Sequence, residues 1–172
     1  RPIITASILG SPSGLCQNME NEDGMKIPEH VINAFVITGE ILGEDYEYYV
    51  AENPQFELKF DPDRVCQSGV RQSLNDLEAK MYFYYICTRL MDLGFRGLDF
   101  TLWWIFNSDS NDNLDDTENL FELTQMVRAY AAENNIDVIL FGEGGYRGSP
   151  TYNGRQIFDL NGQSIRPREI LT

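Results

Sequence analysis

Short apolar segments alternate along this chain with two long amphipathic helical segments. Residues 2–9 and 137–141 are apolar and β-branched, which is typical of buried strands. Residues 74–93 and 116–134 carry apolar side chains at three- and four-residue spacing, which predicts two helices. Long helices between apolar strands favour right-handed βαβ units. We therefore predict one α/β domain over residues 1–172, with a mainly parallel sheet.

Turn and helix-start signals divide the rest of the chain into shorter elements. Pro28 stands where helices often begin, so a short helix is expected there. Residues 97–104 and 156–160 have the apolar character of two further strands. Capping patterns mark the starts of the two long helices, formed by Ser73 with Asp76 and by Asp115 with Glu118.

Residues 43–72 are the least regular part of the sequence. Residues 46–50 and 56–60 could form two short strands around the turn signal Asn53-Pro54. A long excursion of this kind is often a functional loop over a scaffold, and otherwise a simple insertion. Because no Pro- or Ser-rich linker divides the chain, we treat this segment as part of the single domain.

The composition limits the classes of partner. The net charge is −14, and a field of that sign repels phosphate backbones, so we expect no nucleic-acid partner. No apolar run approaches the ~20 residues that a bilayer crossing needs, so we expect no membrane span. The acidity suits neutral substrates, cations or a basic protein partner, although solubility alone would also explain it.

Cysteine and histidine usage argues against a metal site built from these residues. The chain has one histidine, His30, and the cysteines lack zinc-type spacing. Cys87 lies in an apolar helix and is expected to be a core residue. Cys16 and Cys66 could form a disulfide, but the odd count leaves the redox compartment open. A start at Arg1 fits a processed exported protein, a shortened chain or a fragment, and a secreted or cell-surface location is our expectation.

An acid and two indole rings occupy the strand predicted at residues 97–104. Alternation along this strand places Asp99 and Trp103 on one face. A carboxylate inside a strand is costly to bury unless it is paired or hydrogen-bonded, which fits either a functional acid or a structural aspartate bonded to backbone amides. Trp103 and Trp104 are either apolar plates for a sugar ring or core residues.

A second acid follows the strand predicted at residues 137–141. Glu143 lies there in a Gly-rich turn, followed by Tyr146 and Arg147. In α/β folds the reactive groups collect at the carboxyl ends of the strands. Glycoside hydrolysis needs two carboxyl groups, one to protonate the leaving oxygen and one to attack or to activate water. Glu143 and Asp99 are the candidates for this pair, and the alternative is a structural turn glutamate.

A polar loop between the two long helical segments has part of a calcium-loop pattern. Oxygen-bearing side chains stand at alternate positions, namely Asp109, Asn111, Asn113 and Asp115. The pattern then fails, since Leu114 stands at the glycine position and Leu120 at the bidentate glutamate position. A solvated acidic loop is the expectation and calcium the alternative. We predict no metal site and no cofactor.

Three stretches share a pattern of order and aromatic spacing: PIITASIL, LEAKMYFYYICTRLMDLGF running into RGLDF, and RAYAAENNIDVILF with the later RQIFDLNGQSIRPREI. They resemble the N-terminal half of uncharacterised bacterial glycoside-hydrolase-like (β/α)8 barrel proteins. The resemblance covers most of the chain outside residues 10–72. It implies barrel strands at 2–9, 97–103 and 137–143, with a further one at 156–160.

The resemblance implies a (β/α)8-type barrel, partial or complete. Such a barrel usually takes about 250 residues, and this sequence shows too few strands for a whole one. The chain is therefore a fragment, one part of a barrel completed in a homo- or hetero-oligomer, or a smaller open sheet. At residues 142–144 it also departs from the family, since Gly-Glu-Gly stands in place of an Asp-Ala-His segment.

The functional hypothesis is a carbohydrate-active protein that acts as a glycoside hydrolase. Glu143 would be the general acid or nucleophile, and Asp99 its partner or positioning group. The aromatic side chains named above would stack on the sugar, and Arg147 would hold a hydroxyl or carboxylate. The rival hypothesis is a non-catalytic carbohydrate-binding or assembly subunit of a larger complex.

Overall fold

The computed structural model describes residues 4–7, 26–51, 54–56, 74–100, 117–143 and 150–162. Its helices are α1 (Glu29–Thr38), α2 (Glu44–Tyr49), α3 (Leu77–Asp92) and α4 (Glu118–Glu133). Its strands are β1 (Thr5–Ser7), β2 (Gly97–Asp99), β3 (Ile139–Glu143), β4 (Thr151–Tyr152), β5 (Arg155–Gln156) and β6 (Leu160–Gly162). Among these helices none is long and apolar enough to cross a bilayer.

Four of the strands form one parallel sheet in the order β1-β2-β3-β6. Each strand lies beside the strand that precedes it in this sheet, so the chain moves across the sheet in one direction. The described part of this sheet is open, with β1 and β6 at its edges, and it contains no closed barrel. Membership of a (β/α)8 barrel therefore remains a proposal.

The two faces of the parallel sheet differ in burial. Leu98 and Leu140 lie side by side on one face, and both are completely buried in the main core. Val138, which immediately precedes β3, also packs against this core. Asp99 and Phe141 occupy the other face and are only half-buried. The helices and the first face together form the hydrophobic core, and the second face carries an acid beside an aromatic ring.

α3 is the centre of the helix layer. The ring centroids of Tyr84 on α3 and Phe35 on α1 lie 5.8 Å apart, and those of Tyr84 and Tyr130 on α4 lie 6.3 Å apart. Cys87 on the same helix is a free thiol without solvent exposure, and burial raises its pKa. The expectation that Cys87 is a core residue is thereby confirmed.

α1 runs antiparallel to α3. His30 in the first turn of α1 contacts Thr88 near the end of α3, whereas Glu40 beyond the end of α1 contacts Lys80 near the start of α3. α1 ends at Gly39, whose positive φ of 78° suits the left-handed position after a helix. The chain changes direction at Gly39, and α2 then lies near the first turn of α3. The Tyr49 hydroxyl of α2 donates there to Glu78.

The expected strand at residues 46–50 is wrong, because this segment lies in α2 and its C-cap. A strand would alternate between buried and exposed positions, whereas only Tyr49 of this segment is buried. The neighbouring expectation at 56–60 lies mostly outside the described residues. Its one described residue, Phe56, is buried between Tyr82 and Tyr85.

The expected strand at residues 156–160 is also wrong in its bounds. Asn153 and Gly154 both have positive φ and form a tight turn between β4 and β5, which is the conformation that Asn-Gly favours in hairpins. Ile157 and Phe158 then fill the core, and the parallel strand β6 begins only at Leu160. The Asn-Gly pair at 153–154 was the sequence signal for this hairpin.

Candidate functional site

The carboxyl ends of the four parallel strands define the candidate site. Because the strands are parallel, their carboxyl ends lie at the same end of the sheet. The last residues of the strands are Ser7, Asp99, Glu143 and Gly162. Ser7 aligns with Asp99, and Gly162 aligns with Glu143. In open α/β sheets, ligands bind in clefts outside the carboxyl ends of the strands. We call these four positions the strand-end row.

The register fixes the spacing of the two predicted acids. Asp99 aligns with Phe141, which stands two residues before Glu143 on the neighbouring strand. Strands lie about 4.8 Å apart and rise about 3.3 Å per residue, so the two backbone positions are about 8 Å apart. Aligned residues lie on the same face of a sheet, and so does every second residue along a strand. Positions 99 and 143 therefore lie on the same face of the sheet.

Asp99 has a half-buried setting. Its side chain makes no hydrogen bond or ion pair in the part of the chain that the structure describes. The backbone around it is well fixed, because the amide of Phe100 donates to the Phe141 carbonyl at 2.8 Å. Among the described residues, no backbone amide therefore binds the Asp99 carboxylate.

An aromatic pair supports the strand-end row from the core side. The rings of Phe100 and Phe158 lie 5.3 Å apart between centroids. The Phe158 ring also occupies the space that a Cβ at Gly142 would need. Glycine permits such a close approach because it has no Cβ. At Gly142, the group that comes close is a side chain from the core of the chain itself.

β3 is braced by a residue that sequence reasoning missed. The Asp159 carboxylate accepts from the Leu140 amide at 2.8 Å, and the Asp159 amide donates to the Leu140 carbonyl at 2.8 Å. Arg128 from α4 donates to the same carboxylate at 3.0 Å and to the Ile157 carbonyl at 2.9 Å. Glu143 is the last residue of the strand braced in this way. No pattern in the sequence marks Asp159 for this role.

The structure describes only part of the predicted site. Asp99 and the backbone of Glu143 lie on neighbouring strands in the strand-end row. The other predicted ligand-binding residues lie outside the described residues, namely Trp103, Trp104, Tyr146 and Arg147. The four positions of the calcium-like loop do so as well. Within the described ranges, no group of three or more histidine, cysteine, aspartate or glutamate side chains could hold a metal ion.

Two positions of the site follow from the topology and not from any motif. Ser7 and Phe141 align with Asp99 across three neighbouring strands. Their place could have been derived only from the strand order and register, which the sequence does not give. No protein-family model, curated protein or solved structure matches the chain.

Proposed function

We propose that this protein is carbohydrate-active and hydrolyses a glycosidic bond with the carboxyl groups of Asp99 and Glu143. The observation that carries the proposal is the pairing register of β2 and β3. It puts the two acids at the ends of adjacent parallel strands, about 8 Å apart at the backbone by standard strand spacing. This proposal includes the barrel-type architecture, to which the one-directional strand order is suited.

The backbone spacing is compatible with both hydrolytic mechanisms. Carboxyl groups about 5–5.5 Å apart serve retaining enzymes, and groups about 6.5–9.5 Å apart serve inverting enzymes. Because positions 99 and 143 lie on the same face of the sheet, an aspartate and a glutamate there can bring their carboxyl groups to either of these two separations. Glu143 would protonate the leaving oxygen or attack the anomeric carbon, and Asp99 would take the other role or position Glu143.

The hydrolytic step can be written with these two groups. The acid gives its proton to the glycosidic oxygen as the bond from that oxygen to the anomeric carbon breaks. The second carboxylate either removes a proton from the attacking water or first bonds to the anomeric carbon. The half-buried setting of Asp99, whose side chain has no hydrogen bond or ion pair among the described residues, supports this role. Trp103, Trp104 and Tyr146 would stack on the sugar, and Arg147 would hold a hydroxyl or carboxylate.

Hydrolysis of a panel of aryl glycosides and neutral polysaccharides tests the proposal. We expect Glu143→Gln to lower kcat by about 10²–10⁴-fold, because it removes the ionisable group and keeps the volume. Asp99→Asn should lower kcat on the same substrate. Glu133→Gln, at the exposed end of α4, is the matched control and should leave kcat unchanged. Full activity of Glu143→Gln with a retained fold would remove Glu143 from the mechanism.

A second candidate is a non-catalytic carbohydrate-binding or assembly subunit. The openness of the described sheet favours it, since β1 and β6 have free edges among the described strands and Phe141 is only half-buried. Glycan binding without turnover, unchanged in Glu143→Gln, would establish the binding role. A mass measurement that shows a stable oligomer would support completion of the sheet by another chain.

A further inference from the structure

A cleft separate from the strand-end row lies between α1 and α2. Its volume is about 310 Å³, which is in the range of small-molecule sites. One wall comes from the start of α1 and the residues before it, and the other from the end of α2 and the chain that follows. It is lined by Lys26, Ile27, Glu29, Ile32, Asn33, Tyr49, Val50, Ala51 and Pro54. None of these residues belongs to a strand of the parallel sheet.

The floor of this cleft is apolar and fixed in place. Ile27 and Tyr49 are 1% and 5% exposed, and Ile32 and Pro54 are also buried. The Ile27 amide donates to the Pro54 carbonyl at 2.9 Å, which joins the two walls. The Tyr49 hydroxyl is already used, because it donates to Glu78 at 3.3 Å. The floor of the cleft is therefore preformed by packed apolar side chains, and the exposed side chain of Val50 adds apolar surface to one wall.

The rim of the cleft carries three polar side chains that have no partner among the described residues. Lys26, Glu29 and Asn33 are exposed, and none of their side chains makes a hydrogen bond or ion pair within the described ranges. Lys80 shows the contrast, since its ammonium group contacts Glu40, Asn119 and Glu122. The rim thus offers one cation, one anion and one amide to a bound molecule.

We propose that this cleft binds a zwitterionic small molecule with an apolar body, of the class of apolar α-amino acids. Lys26 would pair with the carboxylate and Glu29 with the ammonium group, because each rim charge then meets its opposite. Asn33 would hydrogen-bond to either group, and the apolar side chain would lie against Val50, which lines the cleft and is 48% exposed. A sugar fits less well, because stacking needs an exposed aromatic face and the Tyr49 ring is buried.

NMR titration of the full chain with L-phenylalanine tests this assignment. We expect the largest saturable shifts in the lining residues of the cleft, which lie within 26–33, 49–51 and 54. Phenethylamine, which lacks the carboxylate, and 3-phenylpropanoate, which lacks the ammonium group, should each bind at least about tenfold more weakly. Lys26→Met and Glu29→Gln should each weaken L-phenylalanine binding by a similar factor. Glucose, as a sugar probe, should cause no shifts in these segments.

Two further variants separate loss of the site from loss of the fold. Ala51→Trp places a large ring on an exposed lining residue and should abolish binding with the remaining spectrum preserved. Arg155→Met removes an exposed cation in β5 and should leave binding unchanged. The proposal would be overturned if L-phenylalanine caused no saturable shifts. It would also be overturned if phenethylamine and 3-phenylpropanoate bound as tightly as L-phenylalanine, or if Lys26→Met and Glu29→Gln bound L-phenylalanine as tightly as the native chain. None of these results bears on the hydrolase test.

Discussion

The single histidine, His30, is held by a hydrogen bond whose direction follows from its neighbours. The Thr88 hydroxyl donates its one proton to the Tyr85 carbonyl at 2.9 Å. Its oxygen must therefore accept from His30 Nε2, which lies 3.1 Å away. Neutral His30 therefore carries its proton on Nε2, and the second proton, which charges the ring, binds at Nδ1. Burial lowers the pKa of His30, and the charge of Asp92 partly opposes this effect.

The lowered pKa predicts how the stability depends on pH. The unfolded chain binds the proton at the ordinary histidine pKa of about 6.5, and the folded chain binds it only at lower pH. Above about pH 6.5 His30 is neutral in both states, and the free energy of unfolding keeps its full value. The free energy of unfolding then falls as the pH drops through the pKa of His30 in the folded chain. The difference in urea unfolding free energy between the native chain and His30→Gln should shrink over that window. A histidine NMR titration midpoint above 6.5 would contradict this expectation.

Gly142 gives a second prediction at the scale of one residue. A Cβ at this position would overlap the Phe158 ring, which is itself buried in the core. Gly142→Ala should therefore lower the free energy of unfolding by about 1–3 kcal/mol, as measured by urea denaturation. Adding Phe158→Leu should recover part of this loss by freeing the space. A fully stable Gly142→Ala variant would show that the ring does not fill this position.

Lys80 connects three elements of the helix layer, and its variants test this connection. The side chain is 2% exposed, and its Nζ lies 2.8 Å from Glu40 after α1 and 2.6 Å from Glu122 on α4. Lys80→Ala should lower the free energy of unfolding by about 2–3 kcal/mol, because it leaves two carboxylates unpaired and opens a cavity. Lys80→Met keeps most of the volume and should cost less. Equal urea midpoints for the native chain and Lys80→Ala would contradict this role.

The elements themselves were predictable where periodicity was strong. The helix expected at 74–93 is observed as Leu77–Asp92, and that expected at 116–134 as Glu118–Glu133. The start of α3 differs because Asp76 itself caps the helix by accepting from the amides of Glu78 and Ala79. Short segments were not predictable, since α2 has too few residues for a helical period to be told from alternation.

At the scale of the whole molecule, the sequence could place the two acids after strands but could not bring those strands together. Strand order and register depend on contacts between residues far apart in the chain, which no local pattern records. The alignment of Asp99 with Ser7 and Phe141 is a fact of this kind. Roles given to Trp103, Trp104, Tyr146 and Arg147 remain predictions from the sequence.

The functional account depends on one distance, between the carboxyl carbons of Asp99 and Glu143. We expect a crystal structure to place these two atoms about 5–10 Å apart, with both carboxyl groups facing one solvent-filled hollow. Side chains that point to opposite sides of the sheet, or carboxyl carbons more than about 12 Å apart, would contradict a shared catalytic role.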